Sequence, residues 1–231
     1  MSEWTCTPAD ALTAAYDGVT AVAGQLSDEV AMLPSRCAGW AVSDVLYHQL
    51  LDARRALRTF ASPAAGPPDT DQVSYWRHYG AGSGSAAGPG SAEAARHARH
   101  VRIAASAYDP DQLAWDWRET SAAACRAALA CPHPAVTTQG LVLTTADFMS
   151  TLAVEAAVHY LDLTVALPAA PSPPQTPLML VRWVLAGLAG APLPGGWDDV
   201  TCALKLTGRV PLDAADRSAL GDLADRLPLF G

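Results

Sequence analysis

TADFMSTLAVEAAVHYLDLTVAL, residues 145–167, carries most of what this chain says about its fold. Asp147, Thr151, Glu155, His159 and Asp162 follow one another at steps of three and four, so a helix gathers them on one side, and nearly everything else is apolar. A polar stripe on a helix commonly meets water, but such a face usually mixes in Lys or Arg, and none occurs between Arg126 and Arg182. The composition therefore favours a stripe turned inward. Carboxylates and an imidazole held inside a helical protein need a partner, because an unpaired buried charge costs roughly several kcal/mol even after relaxation. A divalent cation is one such partner. Glu155 and His159 are four residues apart, about 5–6 Å between Cβ atoms, and can close on one ion. Two ligands alone do not make a tight site.

Outward from this helix the chain reads as a series of others. Leu12, Tyr16, Val19, Val22, Leu26 and Val30 form one apolar stripe, predicting a first helix from Pro8 that runs until PSRCAGW breaks it around Pro34. Ser43 is placed to cap a second helix, whose buried stripe is Val42, Leu46, Gln49, Leu50, Ala53, Leu57 and Phe60. Residues 63–90 are rich in Pro, Gly, Ser and Ala and read as a mobile loop, with an aromatic island of Tyr75, Trp76 and Tyr79 able to dock. Ser91 and Glu93 open an Ala/Arg helix, and DQLAWDWRETSAAACRAALA is another, stopped by Pro132 and Pro134. VTTQGLVLT is β-prone. After the PAAPSPPQTP linker come an apolar helix over 178–188, a strand in DDVTCALKLTG and a closing helix from Asp213. The expected fold is mainly α: an antiparallel four-helix bundle over residues 1–170 with a small C-terminal α+β region over 171–231.

Composition excludes several functions. The chain has 231 residues and a formal net charge of -8, which offers no basic field for a phosphate backbone and argues against nucleic acid as a partner. Five cysteines with no C-x-x-C pair indicate neither a disulfide framework nor a four-thiolate zinc site, and a reducing cytoplasm suits them. MSEWTCTPAD has acids where a signal peptide is basic, and no apolar run is long enough to span a bilayer, so neither export nor a membrane is expected. No nucleophile elbow, P-loop or dinucleotide fingerprint stands in its proper context. The size fits a monomer or a homodimer.

A third metal ligand must come from another helix, and the candidates are His48, His78, His97, His100 and His133. His97 and His100 sit among Arg96, Arg99 and Arg102, where a cation is repelled and a solvated basic face is the better reading. His133 lies between prolines, and His78 belongs to the loop. His48 falls at the margin of its helix's buried stripe, where a structural histidine and a ligand are equally good readings.

Gly39-Trp40-Ala41-Val42-Ser43-Asp44-Val45-Leu46-Tyr47-His48 resembles the G-W-x-V-x-D-V-x-x-H signature of the DinB-like metal-dependent family, in its actinobacterial branch related to mycothiol-dependent maleylpyruvate isomerase. Glu155-Ala156-Ala157-Val158-His159-Tyr160-Leu161-Asp162 is similar to that branch's E-x-x-x-H-x-x-D signature. The resemblance covers about residues 12–167, with a looser likeness at Trp197 and Thr207-Gly208-Arg209. It implies that His48, Glu155 and His159 are the metal ligands. Two imidazoles and a carboxylate suit Zn²⁺ with a fourth position open, where a thiol would be held as thiolate. Mycothiol is the thiol that the resemblance implies.

Asp162 is able to orient an imidazole through its second N–H or to pair elsewhere as a buried carboxylate, and both readings stand. Asp44 suits a cap on its own helix, and Trp40 suits packing at the start of that helix. The family's catalytic arginine lies in its C-terminal region, which points to Arg209, and Arg182 is a second candidate for gripping a carboxylate of the cofactor thiol; a structural arginine is the alternative for each. Trp115 and Trp117 read as core, with a pocket lining as the alternative. The expected activity is attack of the thiolate on an electrophilic small molecule, either S-transfer or isomerisation. A metal-dependent hydrolase and a non-enzymatic helical stress or binding protein are the competing readings.

Overall fold

The computed structural model describes residues 6–79, 91–167 and 169–230. Thr7 accepts from the backbone N–H of Asp10 and starts α1 (Pro8–Ala23), which buries Leu12, Tyr16, Val19 and Val22. The apolar stripe does not continue as one helix. Gly24 caps α1, and Ser27 starts a separate short α2 (Asp28–Ala31) by accepting from Val30 N–H, so the expected single helix is interrupted by local capping chemistry.

α3 (Val42–Phe60) follows, and here Asp44 rather than Ser43 provides the cap, its carboxylate accepting the Ala41 N–H at 2.9 Å. Ser91 caps α4 (Ala92–Ala105), and Asp109 with Pro110 opens α5 (Pro110–Ala130). Trp117 is fully buried in the core and donates to Thr20 Oγ1 at 2.9 Å, whereas Trp115 is half-exposed and outside it. β1 (Ala135–Thr138) and β2 (Leu141–Thr144) make an antiparallel hairpin joined by Gln139 and Gly140, both at positive φ, the backbone that a two-residue turn of matching twist demands. α6 (Thr145–Thr164) begins directly at its end, with Thr144 and Asp147 capping reciprocally. Asp147 is thus spent at the helix start.

α1 packs along α6 and α3 along α5, with further contacts of α1 on α5 and α3 on α6. α6 is buried on almost every side, including Thr151, His159 and Asp162, so its polar stripe does face the interior. α7 (Gln175–Ala189) lies against α6 and α1.

The expected C-terminal strand is a helix. DDVTCALKLTG forms α8 (Asp199–Leu206), capped by Asp198, and its apparent alternation is overruled by the helical spacing of buried Cys202, Ala203 and Leu206, with no strand beyond the β1–β2 hairpin among the described residues to pair with it. α9 (Ala214–Leu220), capped by Asp213, completes the helices, so among the described residues the C-terminal region is helical and not α+β.

In the Pro/Gly-rich segment, a 3-10 turn at Ser74–His78 buries Tyr75 and Trp76. The turn seats against α7, where a Cβ on Gly187 would lie 2.9 Å from Val73 Cγ1. The GAGSGSAAGPG stretch read as the loop's mobile part lies outside the described residues. No helix among the described residues is long and apolar enough to cross a membrane.

Candidate metal centre

α3 delivers His48 and α6 delivers Glu155 and His159 to the wall of one cavity of about 820 Å³. Glu155 Oε1 lies 3.1 Å from His48 Nε2 and 3.3 Å from His159 Nε2, and the three ligand atoms lie within 4.8 Å of one another. Burial raises the Glu155 carboxyl, but hydrogen bonds from His159 and His48 outweigh it and hold the group well below the usual carboxylate range. Two imidazole nitrogens and one carboxylate oxygen form a donor set that fits Zn²⁺ and leaves a coordination position for an exogenous ligand.

Each imidazole is steadied through its other nitrogen. His159 Nδ1 is 2.8 Å from Asp162 Oδ2, and His48 Nδ1 is 3.1 Å from His97 Nε2. Burial opposes the imidazolium form of His159, yet its bonds to Asp162, Cys37 and Glu155 prevail and raise it well above the ordinary histidine range. Asp162 is fully buried, which pushes its carboxyl up; the His159 hydrogen bond and the Arg209 charge more than offset this and hold it at about 2.

Arg209 sits just beyond α8 and donates through Nε to Asp162 Oδ1 at 2.8 Å and Oδ2 at 3.0 Å, while lining the same cavity. Gly208 makes this approach possible: its φ is +72°, and a Cβ there would stand 3.1 Å from Pro228 Cβ. Arg182 is elsewhere. It donates to the carbonyls of Trp197 and Pro194 and to Cys202 Sγ, tying α7 to the loop before α8, and it is not among the residues lining the cavity.

Three participants were not expected. His97, read as part of a solvated basic face, turns from α4 onto His48 because one side of that helix packs on α3. Its Arg neighbours concealed this in the sequence; only its place one helical turn after Glu93, which also lines the cavity, separated it from them. Cys37, in the break before α3, places Sγ 3.2 Å from Asp162 Oδ2 and 3.8 Å from His159 Nδ1. Trp40 does more than pack at a helix start, since its ring meets that of His48 edge to face at 5.5 Å. Of the other histidines, His78 bonds the Tyr75 carbonyl at 3.2 Å, His100 is exposed on α4, and His133 stays in its turn.

The far wall is aromatic and polar. Arg55 pairs with Asp52 at 3.1 Å and donates to Tyr75 Oη and Gln139, and Tyr75 Oη donates to Gln139 at 2.8 Å. Trp76 stacks on Phe230 at 4.4 Å, so the docked island and the C-terminal segment close the cavity together.

A helical protein with two histidines and a glutamate converging in a deep cavity belongs to the class that carries a candidate three-ligand metal centre. The family model of the mycothiol maleylpyruvate isomerase N-terminal domain matches residues 12–164, about two thirds of the chain, and the chain belongs to that family. No curated protein and no solved structure matches it. His48, Glu155 and His159 fall inside the matched span, and Arg209 falls outside it.

Proposed function

We propose that this protein is a Zn²⁺-dependent enzyme that uses a low-molecular-weight thiol, mycothiol, against an electrophilic small molecule, by S-transfer or by isomerisation. The observation that carries the reading is the convergence of His48 Nε2 and His159 Nε2 on Glu155 Oε1 at the cavity wall. When bound there, Zn²⁺ supplies a Lewis acid that keeps a thiol deprotonated at neutral pH. Asp162 holds His159 by accepting its Nδ1–H, and Arg209 holds Asp162 in turn. His97 fixes the His48 ring by the same logic. Tyr75, Trp76, Tyr79 and Phe230 exclude water from the far side. Arg209, which lines the cavity while its Nε is held by Asp162 and its Nη1 by the Thr207 carbonyl, is the group that would stabilise negative charge developing on the electrophile. Arg182 has a structural role in this reading.

The wider proposal places α1, α3, α5 and α6 in an antiparallel four-helix bundle of the DinB type within residues 1–170, with 171–231 as a smaller region that completes the cavity. Five free cysteines support a cytoplasmic location. The deciding experiment incubates metal-loaded protein with candidate electrophiles with and without mycothiol. Turnover that requires both metal and thiol is expected. Turnover independent of thiol would instead identify a metal-dependent hydrolase, and bound metal that raises the melting temperature while no thiol ever perturbs a Co²⁺-substituted spectrum would identify a non-enzymatic protein.

A further inference from the structure

We propose that a cleft behind the far wall of the metal cavity is a separate binding site for a phosphate-class oxyanion. The cleft, of about 290 Å³, lies where the end of α3 meets the β1–β2 hairpin. Arg55, Arg58 and Ser62 line it from the helix side, and Thr137, Thr138 and Gln139 from the hairpin. Backbone pairing holds the two sides together: the Thr137 N–H donates to the Ser62 carbonyl at 3.3 Å, and the Ala64 N–H to the Ala135 carbonyl at 3.1 Å. Arg55 and Gln139 line the metal cavity as well, but His48, Glu155 and His159 do not line the cleft.

Two orphaned groups point to an occupant. Among the described residues five buried side-chain nitrogen or oxygen atoms have no hydrogen-bond partner, and two of them, Arg55 Nε and Thr138 Oγ1, belong to residues that line this cleft. A buried polar group left unpaired is destabilising, so each calls for a partner. Thr138 is 4% exposed and stands two residues after the fully buried Val136, on the core-facing side of β1, where valine would match it in shape. A hydroxyl at such a position is desolvated at a cost unless something pairs with it.

The groups left open are donors. Gln139 Oε1 is taken by Arg55 and Tyr75, which leaves its amide nitrogen. Arg55 is matched by Asp52, whereas the Arg58 guanidinium has no ion pair and no hydrogen bond with a described residue. No carboxylate lines the cleft. A tetrahedral anion, with oxygens on several sides, suits a guanidinium, an amide and hydroxyls that converge from two elements better than a planar carboxylate does. The α3 dipole opposes an anion at this end, but the last carbonyls are already occupied: Ser62 Oγ donates to the Arg58 carbonyl at 2.7 Å and the Ser62 N–H to the Thr59 carbonyl at 2.9 Å.

The test titrates inorganic phosphate, glycerol 3-phosphate and acetate in turn into the full-length protein, metal-free and Zn²⁺-loaded, at constant ionic strength, and follows backbone amide chemical shifts. Phosphate or its monoester is expected to move the amides of Ser62, Thr137, Thr138 and Gln139 saturably in both forms, and acetate is not. Arg58→Met should weaken that binding about tenfold and Thr138→Val by a smaller factor. Tighter binding of glycerol 3-phosphate identifies an esterified ligand, and equal or tighter binding of phosphate identifies the free anion; either order sustains the site. The inference is overturned by the absence of a saturable shift with both phosphates, by shifts confined to residues around His48 and His159, by acetate binding as tightly as phosphate, or by unchanged affinity in folded Arg58→Met and Thr138→Val variants. The wild-type shifts and the acetate comparison decide the matter even if a variant fails to fold.

Discussion

Arg209 Nε reaches both carboxylate oxygens of Asp162, at 2.8 and 3.0 Å, and so joins the segment after α8 to the end of the helix that carries Glu155 and His159. Asp162 is fully buried and Arg209 nearly so. Removing only the cation strands a buried carboxylate, and Arg209→Met is expected to cost roughly 3–5 kcal/mol, more than the pair is worth against an apolar replacement. Urea unfolding of Arg209→Met, Asp162→Asn and the double variant checks this. The double variant should be more stable than the sum of the single losses predicts.

The same carboxylate sets an acid limit. Asp162 is held at about 2, below its ordinary 3.8, so its contribution is fully present above the unfolded value and is lost as the pH falls from about 4 through 2. The depression corresponds to roughly 2 kcal/mol. Unfolding free energy measured across that window should fall less steeply in Asp162→Asn than in the wild type, with the curves drawing together at the acid end. Equal slopes would show that the Asp162 pairing does not govern acid stability.

Metal should act as a folding ligand. Zn²⁺ at about a hundredfold over its dissociation constant adds roughly 2.7 kcal/mol to the stability of a protein that binds it only when folded. Titration with Zn²⁺ is expected to raise the melting temperature of the wild type and to leave His48→Ala, Glu155→Ala and His159→Ala unmoved. Metal analysis of the same preparations provides the independent count.

His97 gives a subtler test. It touches no ligand position of its own and acts through His48 Nδ1 at 3.1 Å. His97→Ala should weaken Zn²⁺ binding about 10–100-fold, with His97→Gln, which keeps an acceptor, recovering part of the loss. Thermal stability without metal should be nearly the same in all three proteins, which a purely structural histidine would not allow.

How far these contacts are readable without coordinates depends on their range along the chain. His159 and Asp162 are three residues apart and Asp44 and Ala41 likewise, so helical spacing exposes both relationships. The gathering of Glu155 and His159 follows from the same period, and His48 comes forward through a motif rather than a spacing. His97 does not, because its meeting with His48 depends on how α4 lies on α3, and its arginine neighbours give the local sequence a basic, solvated look. Cys37 sits in a break without periodicity. The strand expected in DDVTCALKLTG fails for the converse reason: Val200, Cys202, Leu204 and Leu206 alternate, but alternation without a partner strand gives way to a capped helix burying Cys202, Ala203 and Leu206.

Gly208 provides the last prediction, since it ties backbone strain to the position of Arg209. Its φ of +72° already disfavours a side chain, and a Cβ would press within 3.1 Å of Pro228 Cβ, tighter than ordinary contact. Gly208→Ala is expected to cost about 1–3 kcal/mol, the range for a residue held in the left-handed region. Relief can come only by shifting the turn that carries Arg209 or the Pro228 segment beneath it, and Phe230 stacks on Trp76 just beyond that segment. Tryptophan fluorescence should therefore change along with stability, and Arg209-dependent properties should weaken even though no cavity side chain has been altered. A variant that loses stability but keeps both the wild-type fluorescence and wild-type thiol-dependent turnover would show that the strain is absorbed without moving Arg209.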